Sequence, residues 1–201
     1  MPAARTLTAA GDDILMRKAL DALYGVSLVG ACLSMVLIAA LVSIQVLGRV
    51  VDRVAVLLGG ARYGFAIPSL AEIGGFLFVA AAFLALPAAL RSAGHVRVTL
   101  ALRLFGDRGD RVMSILVLVI GLGLAAFAAW AIGVQTLASF QRGSVSYGLV
   151  AISLWIPQAV MTLGLTIFVI ALLDELVTAL SGREPAFRRI EKERETGEGA
   201  H

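Results

Sequence analysis

The sequence predicts an all-α integral membrane protein with four transmembrane helices, on three observations. Hydrophobic residues make up 59% of the 201 positions and charged residues 15%, with a mean hydropathy of +0.91. A soluble domain of that composition would carry far more apolar surface than it could bury. Four long stretches are almost free of Asp, Glu, Lys and Arg, and each exceeds the roughly 20 residues a helix needs to cross a hydrocarbon core. The apolar runs are continuous rather than alternating, which excludes a membrane β-barrel and leaves helices that satisfy their own backbone.

The first stretch is uncharged from Ala22 to Gly48 and predicts span 1 over 22–48. It is too long for a signal-peptide core and no small-residue cleavage site follows, so it reads as an uncleaved anchor. The single cysteine, Cys32, lies inside it, which rules out an internal disulfide. Gly30 and Ser34 form a small-xxx-small pair suited to close helix contact. After the span, Arg49, Asp52 and Arg53 share one helical face and Val50, Val51, Val54, Leu57 and Leu58 lie elsewhere. This pattern predicts a short amphipathic helix at the outer surface, ended by Gly59, Gly60 and Gly64.

Span 2 is predicted over 66–90, with Pro68 in its first turn, where a missing N–H costs little. Pro87 should bend its other end. Gly74, Ala81 and Ala85 lie along one side. The basic, half-apolar segment from Arg91 to Phe105 predicts an interfacial helix, with arginines toward headgroups and Val, Leu and Phe toward acyl chains. Span 3 is predicted over 112–138 and span 4 over 154–180. The chain through residue 181 thus forms a single four-helix transmembrane domain, and residues 182–201 form a charged tail without enough apolar residues for a core.

Lys and Arg collect on the cytoplasmic side of a membrane protein. Of the 17 here, thirteen precede span 1, separate spans 2 and 3, or follow span 4, and four fall in the other loops. Both termini are therefore expected in the cytoplasm. Tyr24, Tyr63, Tyr147 and Trp155 lie near predicted span ends, as interfacial anchors do. The net charge of +3 expresses this asymmetry rather than a nucleic-acid surface.

Glu72 is the costliest residue in lipid, by up to about 2.5 to 3.5 kcal/mol at a helix centre and less near an end. Arg49, at the end of span 1, is its expected ion-pair partner. Coordination of a transported ion is the competing reading, but a relay normally uses several intramembrane ionisable groups. Asp174 and Glu175 end span 4 within expected reach of the basic residues around Arg91 and Arg111. The two histidines, His95 and His201, lie outside the spans, so no haem ligands, metal cluster or cofactor is expected. No nucleophile, base and orienting acid assemble, which excludes an enzyme reading. Gln45, Thr136, Gln158 and Thr162 read as helix-packing polar residues.

The pattern Gln45-x3-Arg49, Pro68-x3-Glu72 and Arg91-x2-Gly94-His95-Val96-Arg97-Val98 resembles the small membrane subunit of tripartite ATP-independent periplasmic (TRAP) transporters. Gly143-Ser144-Val145-Ser146 and Ile152-Ser153-Leu154-Trp155-Ile156-Pro157-Gln158 resemble that family's approach to its fourth helix. The similarity covers about Val42 to Ser181. It departs before Glu72, where many members carry Trp and a second acid and this chain has Ser69, Leu70 and Ala71. The resemblance implies a helper subunit in a bacterial inner membrane. Its partners would be a large permease subunit, membrane lipids and, through the complex, a periplasmic substrate-binding protein. The transport implied is sodium-driven uptake of an organic acid. It marks Arg49, Glu72, Arg91, His95, Arg97, Trp155 and Pro157 as structural or partner-interface residues. The alternative is an independent small channel or carrier acting as a homo-oligomer, with Glu72 lining its pathway.

Overall fold

The computed structural model describes residues 3–61, 63–92 and 106–181, with side chains over 15–61, 63–92 and 112–181. Its helices are α1 (Ala3–Leu57), α2 (Leu70–Arg91), α3 (Gly106–Arg142) and α4 (Trp155–Leu180). All four are long and apolar enough to cross a membrane. No strand occurs among the described residues beyond an isolated Val145–Ser153 bridge. The architecture is all-α, as the composition requires.

One expectation fails at the end of span 1. The stretch after Arg49 is helical, but it is no surface loop element, because α1 runs unbroken through it for 55 residues, about 80 Å at 1.5 Å per residue. The reason is local. No proline or glycine interrupts Arg49 to Leu58, so nothing stops propagation until two glycines arrive. Gly59 then takes φ 78°, donating its N–H to the Val56 carbonyl at 3.1 Å while Gly60 donates to Ala55 at 2.8 Å. This pair of bonds is a Schellman cap, which needs a left-handed residue that glycine adopts without strain. Gly143 ends α3 in the same way at φ 62°, with N–H bonds from Gly143 to Phe140 and from Ser144 to Ser139.

The start of α2 also differs from the prediction. Pro68 lies in the turn ahead of the helix, and Ser69 is the N-cap with φ 55°, its carbonyl accepting the Glu72 and Ile73 N–H groups at 3.0 and 2.9 Å. Pro87 sits inside α2 and is among the most deeply buried side chains. Pro157 occupies the first turn of α4, a position that tolerates its missing N–H. The expected interfacial helix beyond Ser92, with His95 and Arg97, and the charged tail lie outside the described residues.

The chain packs as two units, to each of which every helix contributes a stretch: Met1–Val29, Ala85–Ala125 and Ile167–His201 in one, and Gly30–Leu84 and Ala126–Thr166 in the other. The first unit has an apolar core of Tyr24, Leu90, Leu118, Ala125, Ile167, Ala171, Leu172 and Ala179. Three of these eight residues are alanines, and helices approach closely where side chains are short. The second unit buries Ala31, Ala81 and Leu165 together with Ser34, Gln45, Ser139 and Ser146. Within it Gly164 faces Phe83 so closely that a Cβ there would lie 2.7 Å from the Phe83 carbonyl carbon and oxygen. α2 and α4 therefore meet backbone to backbone.

Candidate functional site

Burial inside the chain is slight for so apolar a molecule. In the most apolar window of each span, only 11 to 28% of residues are buried. Large exposed side chains line α1 from Val26 to Leu57 and α3 from Val112 to Phe140. Such faces need lipid or another protein to cover them.

Several predicted polar residues turn out to hold the chain together. Gln45 is buried, and its Oε1 accepts the Ile67 N–H at 2.8 Å. It thereby fixes the approach to α2 with a bond that lipid could not supply. The Asp52 carboxylate accepts the Tyr63 N–H at 2.9 Å, and the Phe65 ring lies over Gly48, where a Cβ would overlap it. Thr136 and Thr162 share a hydrogen bond of 3.1 Å between their hydroxyls. Gln158 contributes its backbone carbonyl to Thr162, while its own Oε1 is buried with no hydrogen-bond partner. Ser34 donates to the Gly30 carbonyl at 2.9 Å, and a Cβ at Gly30 would meet Leu84 at 3.1 Å. That small-residue face is thus occupied within the chain, whereas Gly74 faces open space.

The segment between α3 and α4 is organised by Ser146, which is buried. Its hydroxyl donates to the Val150 carbonyl at 3.2 Å and accepts the Ile152 N–H at 3.1 Å. Its backbone N–H bonds Ile152, and Leu154 N–H bonds Ser144. The segment is tied to α2 by Val150 N–H, which donates to Ser69 Oγ at 3.0 Å. Trp155 meets Phe140 edge to face at 5.5 Å between centroids, the geometry aromatic rings prefer.

The ion pair expected between Arg49 and Glu72 is absent from the described residues. Arg49 is exposed on the continuous α1, on the same side as Arg53. Glu72 turns instead toward the α3–α4 segment, where a Cβ on Gly148 would overlap its carboxylate. Its Oε2 is buried and meets no hydrogen-bond donor. The Ser69-x-x-Glu72 spacing is a capping-box signal. Here Ser69 Oγ serves Val150 instead of the helix.

Arg91 feels the charge of Glu175, as expected, but its direct partner is another acid. Its guanidinium donates to Asp21 at 2.5 Å and lies 5.1 Å from the centre of the Tyr24 ring. Tyr24 is 4% exposed, so it is a packed residue rather than an exposed interfacial anchor. Tyr63 and Tyr147 are highly exposed, and Trp155 is partly so. Glu175 is buried. Among the described residues no group of His, Cys, Asp or Glu could hold a metal ion.

A multi-pass helical membrane protein with self-bonded polar residues and uncovered apolar faces is the class this arrangement defines. The family model for the DctQ component of tripartite ATP-independent periplasmic transporters matches residues 38–182. The chain belongs to that family, the small permease component of TRAP transporters. Comparison with curated proteins gives no match.

Proposed function

We propose that this chain is the scaffold, or stator, against which a large TRAP permease subunit works. In this reading α1 and α2 bind the large subunit's fixed part, enlarge its hydrophobic footprint and resist tilting as the transport domain moves. The large subunit drives sodium-coupled uptake of an organic acid delivered by a periplasmic binding protein. The observation that carries the reading is the family match over residues 38–182. The small buried share of each span, 11 to 28%, supports it, because a stator needs helix faces left over for a partner. The Lys and Arg distribution orients both termini to the cytoplasm. Arg49, Glu72, Arg91, His95, Arg97, Trp155 and Pro157 hold the helix ends and loops that meet the partner.

The test is a mild-detergent pull-down of the tagged chain from its native membrane, with mass spectrometry of what accompanies it. Recovery of a large multi-spanning permease at about one to one is expected for a fixed heterodimer. Recovery of the chain alone as a stable homo-oligomer would overturn the proposal and favour a channel. Within the complex, Glu72→Ala is expected to weaken assembly and uptake. Wild-type levels of both would remove Glu72 from the interface.

A further inference from the structure

We infer that Arg49 and Arg53 of α1 form a binding site for the phosphate group of an anionic phospholipid. The inference does not rest on the scaffold reading. Val42, Val46, Arg49, Arg53 and Val56 follow one another at alternating steps of four and three residues on an unbroken helix. That spacing keeps all five on one side. Each of them is exposed. The apolar part of the strip belongs to the charge-free stretch that ends at Gly48, and Arg49 is the first charge after it. A hydrophobic wall thus leads directly to two guanidinium groups at the level where a bilayer changes from chains to headgroups.

The local chemistry leaves both arginines available. Asp52 lies between them but accepts the Tyr63 backbone N–H at 2.9 Å. Neither Arg49 nor Arg53 forms an ion pair with a described residue. Among the described residues, Arg49, Asp52, Arg53, Val56 and Leu57 line an open groove of about 640 Å³. The described lining carries two arginines and one aspartate, and guanidinium groups one helical turn apart match the spread oxygens of a phosphodiester through forked hydrogen bonds. A soluble anion would use the arginines alone. A phospholipid also covers Val42 and Val46 with an acyl chain, and the strip provides for both parts.

The test is native mass spectrometry of the full chain in mild detergent, titrated with phosphatidylglycerol or phosphatidylcholine. Near a membrane surface each cation contributes about 1 kcal/mol to binding an anionic lipid, so each single Arg→Gln variant should bind phosphatidylglycerol about fivefold more weakly and R49Q/R53Q about 30-fold more weakly. Arg142→Gln, an exposed arginine on another helix, should leave binding unchanged. Equal retention by R49Q/R53Q and the wild type would overturn the inference. So would equal binding of phosphatidylcholine, or displacement of the lipid by equimolar inorganic phosphate or glutarate. The last result would assign the arginines to a soluble anion or to a partner's carboxylate.

Discussion

Arg91, the last residue of α2, is paired with Asp21 of α1 at 2.5 Å while its guanidinium covers the Tyr24 ring. The arrangement joins two helix segments of one unit through a single side chain. Both partners are partly exposed, at 34% and 59%, so solvent screens the charge contribution. Arg91→Ala should cost about 1 to 2 kcal/mol, because it removes both the ion pair and the cation–π contact, and Asp21→Asn less than about 1 kcal/mol. Thermal unfolding in detergent, with the Tyr24→Leu double mutant, checks it. Equal effects of the two single substitutions would show that the ring contact contributes nothing.

Gly164 is where α2 and α4 meet backbone to backbone, with a Cβ placed 2.7 Å from the Phe83 carbonyl. A backbone obstacle cannot rotate away. Gly164→Ala should therefore destabilise the chain by about 1 to 3 kcal/mol, and Gly164→Leu should prevent a stable monodisperse preparation. Gly123→Ala, at a helical glycine with open space around it, is the control and should be neutral or slightly stabilising. Size-exclusion profiles and melting temperatures of the three variants decide this.

Gln45→Leu removes the acceptor of the Ile67 N–H and leaves that donor unpaired beside a membrane helix. The expected loss is about 1 to 3 kcal/mol, the usual cost of orphaning a buried polar group. Gln45→Glu keeps an acceptor and should lose less. Hydrogen exchange of the Ile67 amide gives a direct reading, with faster exchange expected in Gln45→Leu.

Glu72 holds a carboxylate oxygen without a donor. Glu72→Gln should leave the melting temperature of the isolated chain unchanged or higher, since no bond to the charge is lost and its desolvation cost is relieved. A fall of more than about 1 kcal/mol would reveal a donor supplied in solution. Gly148→Ala should make the unbonded Glu72 carboxylate swing aside, a small cost for the end of a flexible side chain and a smaller one in a Glu72→Ala background. An additive pair of effects would show that the two residues do not share the space.

The membrane class and four spans were legible in the sequence, because a bilayer demands long runs without charge and the chain has four of them. The helix stop at Gly59 was legible too, since a left-handed cap selects glycine. The motif carried by Gln45, Arg49, Glu72, Arg91 and the Trp155–Pro157 turn pointed to the family that the comparison establishes.

Pairing was a different matter. Charge complementarity made Arg49 a natural partner for Glu72 and left Asp21 unnoticed beside Arg91, because such reasoning ranks partners only by sign and by nearness to a predicted helix end. The partners were decided by helix rotation and continuity, which depend on side-chain packing across residues far apart in sequence. Once α1 continued through Arg49 to Leu57, the arginine lay on an exposed strip with Arg53, and Glu72 met the segment around Gly148. Asp21 reached Arg91 because Tyr24, one helical turn further along α1, packs beneath the same guanidinium. By itself the sequence determined the solvent, the number of spans and the stop at Gly59, because those follow from local composition and backbone preference. Only the tertiary structure decided which polar group each buried polar group meets, because that depends on the rotation and separation of neighbouring helices.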